Sequence, residues 1–166
     1  MEEFRLARPD EAGKIYSLLL EKAEWFQQRG IQQWDAEYIE RNINENRILE
    51  TIDDKKYYIL KQDDQITAAC ILDDIDINRQ DNDENSKFIQ WLTSKGRGAG
   101  GRLIKFLIQH CKEQGIQRLR LDCQDHNQKL KHYYFDLGFK QVGRKPHKFF
   151  LDRYSCLMEL EIKHQE

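Results

Sequence analysis

Four glycines crowd into six residues, Gly96, Gly98, Gly100 and Gly101, at the point where the hydrophobic period of the chain changes. Before them Phe88 to Leu92 reads as a strand. After them Leu103, Ile104, Leu107, Ile108 and Cys111 fall on one face of a helix that Gly115 ends. Alternation then returns with Leu119, Leu121 and Cys123, so Arg118 to Cys123 is again a strand. Strand, helix, strand in so short a run has the length of a right-handed crossover joining parallel strands. The chain must therefore build a sheet with a helix laid across one face.

The flanking segments extend that sheet. Phe4 to Ala7 alternates and predicts a first strand. Ala12, Ile15, Leu19, Ala23 and Phe26 predict a helix with Asp10 as its cap and Gly30 as its end. Tyr38, Ile39 and Ile43, with Asp35 near the start, predict a second helix. Tyr57 to Lys61 and Ile66 to Leu72, joined by a short polar turn, predict a hairpin. Asp73 to Ser86 reads as a long acidic loop. Asn127 to Leu137 reads as a helix closed by Gly138, followed by strands at Phe139 to Val142 and Tyr154 to Ile162. The expected fold is α/β, one domain over residues 1–166, with a central twisted mixed sheet and helices on both faces.

Charge and length remove several function classes. Twenty-seven basic residues against 29 acidic ones leave a net charge of −2, too little bulk field to gather nucleic acid or an anionic membrane. The N-terminus lacks the basic-then-apolar pattern of a signal peptide, and no apolar run approaches the ~20 residues of a membrane helix. Cys70, Cys111, Cys123 and Cys156 form no CxxC pair, which points to free thiols and a cytoplasmic protein. Basic residues do cluster locally, at Lys95, Arg97 and Arg102 and again at Lys129, Lys131, Lys140, Arg144, Lys145 and Lys148.

A glycine cluster between strand and helix lets the backbone take φ > 0 and strips away side chains, so that successive N–H groups converge on one ligand. The helix that follows starts with unsatisfied N–H donors and a partial positive charge. Together these suit a pyrophosphate, with Arg97 and Arg102 adding charge; the same glycines would also serve a tight turn alone. The GxxxxGK[ST] pattern of a nucleotide triphosphatase is absent. The spacing of Gly96, Gly98 and Gly101 comes close to a dinucleotide fingerprint, but no second βαβ unit follows it.

Lys95-Gly96-Arg97-Gly98-Ala99-Gly100, followed by Asn127, Tyr134 and Gly138-Phe139, resembles the GNAT superfamily of N-acetyltransferases. That family carries a Gln/Arg-x-x-Gly-x-Gly/Ala turn and, downstream, an Asn, a Tyr and a Gly-Phe pair. The resemblance is strongest from Phe88 to Gly143. Lys95 departs from it, standing where the family prefers Gln or Arg. It implies that Leu92, Lys95, Gly96, Arg97, Gly98, Ala99, Gly100, Gly101 and Asn127 hold acetyl-CoA as co-substrate. It further implies that Tyr134 acts as general acid toward the leaving thiolate, and that the acceptor is a primary amine attacking directly. In the related fold the turn after the first helix borders the acceptor site, which brings in Trp34, and Asp73 is a candidate beside it.

The residues keep a second reading at several positions. Asn127 can simply cap its helix. Tyr134 can be a core aromatic, although Leu130, Tyr133 and Leu137 make a stripe that gives that role to Tyr133. Strand Phe88–Leu92 carries no carboxylate for a general base, so Asp73, Asp74 and Asp76 are candidates, and a non-catalytic acyl-CoA sensor or scaffold module is the alternative function. Asp74-x-Asp76-x-Asn78 opens like a calcium loop but has Arg79 where glycine is needed. Cys123-x-x-His126 with His132 lacks a fourth zinc ligand. No metal is expected, and a homodimer is allowed.

Overall fold

The computed structural model describes residues 1–31, 33–76, 79–147 and 153–163; Asn78 and Lys148 lie outside the described residues. These residues form strands β1 (Glu2–Leu6), β2 (Tyr57–Gln62), β3 (Gln65–Asp73), β4 (Ser86–Ser94), β5 (Arg118–Gln124), β6 (Lys140–Pro146) and β7 (Tyr154–Glu161). The helices are α1 (Ala12–Gln28), α2 (Ala36–Asn42), α3 (Glu45–Asp53), α4 (Ala99–Glu113) and α5 (Gln128–Asp136). The strand order is β1-β2-β3-β4-β5-β7-β6. β4 and β5 pair in parallel, with α4 as the crossover between them. The chain divides into two compact units, Met1–Leu72 with Trp91–Ile104, and Asp73–Gln90 with Lys105–Glu166.

In the first unit β1 pairs antiparallel with β2, and β2 with β3, closing on the two-residue turn Asp63-Asp64. Asp63 takes φ 55 there, the left-handed geometry such tight hairpins demand. Tyr57, Ile59, Ala69 and Ile71 lie in one cluster with Ile15, Leu19, Ile39, Ile48 and Ile52 of α1 to α3. Leu60, Ala68 and Cys70 are fully buried as well, so both alternating faces of β2 and β3 are covered.

The predicted second helix is in fact two. Asp35 caps α2 by accepting from the Tyr38 amide at 2.8 Å. Ile43 then leaves helical geometry at φ −147, and Asn44 starts α3 by accepting from the Arg47 amide at 3.0 Å. The periodicity of Tyr38, Ile39 and Ile43 hid this break, since Ile43 stays buried although it is no longer helical. The expected cap also moves. Asp10 sits inside a short 3₁₀ turn, Pro9–Glu11, and Glu11 ends up buried against Arg5 with two hydrogen bonds of 2.7 and 2.9 Å.

In the second unit β7 lies between β5 and β6, antiparallel to both. The stretch Asp73 to Ser86, expected to be a solvated acidic loop, is pinned instead at its described residues 74–76 and 79–85. Arg79 is buried and donates to Asp81 at 3.0 and 3.1 Å and to Asp122 at 2.9 Å. Arg120, also buried, reaches Asp83 at 3.6 Å and Glu159 at 3.3 Å. Asp74 pairs with Lys87. Asp81 and Asp83 are both held below the ordinary carboxylate range, Asp81 mainly by the Arg79 hydrogen bond and Asp83, against its desolvation, by the Ser86 hydroxyl and Asn85 amide. An acidic field available to draw in a cation is thereby largely spent on internal arginines.

Candidate active site

Strand β4 runs two residues further at each end than its hydrophobic pattern predicts, and its far end leads directly into the glycine turn. The Lys95 amide is already committed to the Thr67 carbonyl at 2.8 Å, so only its side chain is left for a ligand. Gly96 and Gly98 take φ 80 and 82, a conformation that costs other residues about 1–2 kcal/mol. Gly100 and Gly101 lie inside the first turn of α4, where no such demand exists. Two glycines therefore bend the chain and two keep the helix start bare.

The first intrahelical bond runs from the Arg102 amide to the Gly98 carbonyl at 3.1 Å. The amides of Gly98, Ala99, Gly100 and Gly101 precede it and have no acceptor within the helix. Residues 95–98 are exposed, while Ala99 is buried. The Arg102 guanidinium is anchored to Glu2 at 2.7 Å and reaches the Arg97 carbonyl at 3.4 Å. A Cβ on Gly98 would meet its Nη1 at 3.0 Å. Arg97 and Lys95 are the other positive side chains of the turn. This arrangement offers several amides and three cationic groups to a compact anion.

On the strand side, Trp91 takes φ 55, which is uncommon for any residue with a side chain and rarer still inside a strand. Leu92 follows it, half-buried. The Trp91 ring stands 5.5 Å from Trp34 and 5.8 Å from Tyr38, and Trp34 stands edge-on to Phe26 at 5.3 Å. Trp34 thus falls in a ring cluster that includes the residue preceding Leu92 and extends through Phe26 to Trp25, 5.6 Å away. The sequence carried no glycine to mark this kink, and alternation alone could not reveal it.

In the second unit the β4–β5 ladder comprises Ser86↔Arg118, Lys87↔Leu119 and Phe88↔Arg120, and both strands run on past the last pair. Asn127 caps α5, its side chain accepting from the Leu130 amide at 3.1 Å. Tyr134 is buried at 7% exposure, with its ring 5.8 Å from Phe139 and 5.7 Å from Tyr133. Tyr133 is the exposed neighbour at 38%, so the stripe is Leu130, Tyr134 and Leu137 rather than Leu130, Tyr133 and Leu137. Lys131 lies on the same buried face and is bonded to Asp125 at 2.6 Å. Gly138 ends the helix at φ 107, and the Phe139 amide returns to the Tyr134 carbonyl at 3.0 Å. Asp73 closes β3 and its carboxylate accepts from the Asp74 amide at 2.8 Å.

All four cysteines are free and buried. Burial pushes the Cys111 thiol up to about 11 and Cys123 to about 12, and raises Cys156 as well. Thiols held protonated in this way make poor nucleophiles. Among the described residues no His, Cys, Asp and Glu group is arranged to hold a metal, and no helix is long and apolar enough to cross a membrane.

The sequence pattern of the Acetyltransferase (GNAT) family matches residues 19–139, from α1 through Phe139. The chain belongs to the GNAT acetyltransferase family. It is 28% identical over 145 residues to the N-acetyltransferase YesJ of Bacillus subtilis, covering 81% of this chain and 79% of that protein. A GNAT-family acetyltransferase of Listeria monocytogenes shares the fold with a TM-score of 0.74 at 20% identity, over 96% of this chain and 94% of that one. The PaiA N-acetyltransferase of Thermoplasma acidophilum, crystallised with coenzyme A, shares it with a TM-score of 0.73 at 15% identity, over 97% and 99%. The family match takes in the whole turn, Asn127 and Tyr134. The chain is therefore an acyltransferase by family, on the mixed α/β sheet expected of it.

Proposed function

We propose that this chain is a cytoplasmic enzyme that transfers the acetyl group of acetyl-CoA to a primary amine. The observation that carries the reading is the turn. Gly96 and Gly98 bend the backbone at positive φ, and the amides of Gly98, Ala99, Gly100 and Gly101 lack intrahelical acceptors beside Lys95, Arg97 and Arg102. That donor set fits the paired phosphates of a coenzyme. The coenzyme A complex of the Thermoplasma relative supports the choice of ligand. Four unbridged thiols suit a reducing compartment.

In this reading the amine nitrogen attacks the thioester carbonyl carbon. A C–N bond forms, the C–S bond breaks, and the departing thiolate takes a proton from the Tyr134 hydroxyl, while the amine's proton leaves to solvent or a carboxylate. In this reading a backbone N–H near Leu92 donates to the carbonyl oxygen. Direct attack is favoured over an acetylated cysteine because burial keeps Cys111, Cys123 and Cys156 protonated. A second reading, a sensor that binds acyl-CoA without turnover, draws on β4, which holds no carboxylate from Ser86 to Ser94.

Tyr134→Phe separates the two. Free-thiol release with a panel of amines should fall ~10²–10⁴-fold, the usual worth of a general acid, while the dissociation constant for acetyl-CoA stays within about twofold. A wild-type chain that binds acetyl-CoA but releases no thiol with any amine would establish the sensor instead.

A further inference from the structure

Tyr57 and Phe88 are sealed in the interior. Phe26, Trp34, Tyr38 and Trp91 are only half-buried and touch one another in a single cluster. Trp34 and Trp91 are packed on one side against the core of the first unit, which holds them in place while part of each ring stays open. A contiguous, anchored and partly exposed aromatic surface of this kind is characteristic of a ligand site rather than of ordinary surface.

The position of Trp91 ties this surface to the reaction. It occupies the left-handed region at φ 55, a conformation that persists only where the surroundings over-determine it. It immediately precedes Leu92, so the rings begin one residue, about 3.8 Å along the backbone, from the point where the acetyl carbonyl is held in the proposed function.

Charge around the cluster decides what it would take. The carboxylates on and before α2 are engaged elsewhere: Asp35 caps the helix, Glu37 pairs with Arg41 at 2.6 Å, and Glu40 accepts from the Tyr16 hydroxyl. β4 itself has none. A polycation such as a polyamine or an aminoglycoside would find ring surface here but few uncommitted carboxylates. Trp25, edge-on to Phe26 at 5.6 Å at the exposed end of the cluster, already carries Lys22 at 4.7 Å and Arg29 at 4.1 Å from its ring centroid. Burial raises the Tyr38 phenol, so that ring stays neutral through the working range of pH.

We propose that Trp34, Tyr38 and Trp91 form the wall of the acceptor site and select a primary amine borne on a flat aromatic group by a short alkyl arm. The inference rests on the acetyl-transfer reading and adds the substrate class. The rings stack on the aromatic group and leave the amine at the end of its arm, facing the thioester.

The test compares tryptamine, 2-phenylethylamine, spermidine and kanamycin as acceptors at saturating acetyl-CoA, following free-thiol release. The two aromatic amines should exceed spermidine and kanamycin in kcat/KM by at least tenfold. Trp34→Leu should raise KM for tryptamine at least tenfold and leave KM for acetyl-CoA unchanged, with Trp34→Phe recovering most of the loss. Tyr154→Ala, at an exposed ring on β7, serves as a control that should change neither. A preference for spermidine or kanamycin, or a Trp34→Leu enzyme with unaltered tryptamine KM, overturns the aromatic acceptor while leaving acetyl transfer standing. Absence of thiol release with every amine, despite acetyl-CoA binding, instead removes the enzyme reading beneath it. Should Trp34→Leu fail to fold, the acceptor ranking of the wild-type enzyme and the Trp34→Phe variant decides the matter.

Discussion

Substituting Gly98 by alanine tests the turn in two ways at once. At φ 82 an alanine pays about 1–2 kcal/mol for the left-handed conformation. Its Cβ would also lie 3.0 Å from Nη1 of Arg102, whose guanidinium is held by Glu2 at 2.7 Å. Moving that side chain sacrifices a partly exposed ion pair, worth at most about 1 kcal/mol. Gly96 separates the terms, because at φ 80 it has nothing within 4 Å of an added Cβ. Gly96→Ala should therefore cost the strain alone, and Gly98→Ala about 1 kcal/mol more. For a chain of this length that difference is a further ~2–4 °C in Tm. Arg102→Ala in the Gly98→Ala background should remove the clash but not the strain. Binding provides the second readout. A displaced amide forfeits a charge-assisted hydrogen bond of about 1.5–3 kcal/mol, so calorimetric titration with acetyl-CoA should weaken ~10–100-fold for Gly98→Ala. Equal melting temperatures for the two variants, together with wild-type affinity in Gly98→Ala, would refute both the placement of Arg102 and the role of the turn.

Other perturbations reach different parts of the fold. Tyr57 is fully buried and its hydroxyl has no hydrogen-bond partner among the described residues, so Tyr57→Phe should be neutral or raise stability by up to about 1 kcal/mol in urea unfolding. Glu11 is held below the ordinary carboxylate pKa, first by its hydrogen bonds from Arg5, so its contribution is complete above that ordinary value and drains away as pH falls through the lowered one. Glu11→Gln should cost about 2–3 kcal/mol near neutral pH and progressively less in acid, checked by unfolding at a series of pH values. Asn127→Ala should lose about 1 kcal/mol with the helix cap, whereas Asn127→Asp keeps an acceptor for the Leu130 amide and should melt as wild type. If the Asn127 amide group also meets the coenzyme, Asn127→Asp alone will weaken acetyl-CoA binding in titration.

Legibility followed the physics of each element. The crossover from β4 to β5 was plain because glycine, helical period and strand period changed within one short run. Asp35 and Asn127 were readable as caps because such residues satisfy amides locally, with no help from the rest of the chain. The break at Ile43 was hidden because burial persisted where helical geometry did not. Tyr133 and Tyr134 both fit a helical stripe, and the buried choice, Tyr134 against Phe139, depends on packing beyond the helix itself. The acidic loop misled for a similar reason, since its partners Arg118 and Arg120 lie more than thirty residues away. Trp91 was invisible, because its strain is maintained by rings from distant elements and not by its own preference.

The most direct measurement of the central claim is a ¹H–¹⁵N correlation spectrum of the assigned protein titrated with acetyl-CoA. The backbone amides of Gly98, Ala99, Gly100 and Gly101 should shift first and furthest, while that of Lys95, bonded to the Thr67 carbonyl, should move little. Saturable binding that leaves those four resonances in place would contradict it.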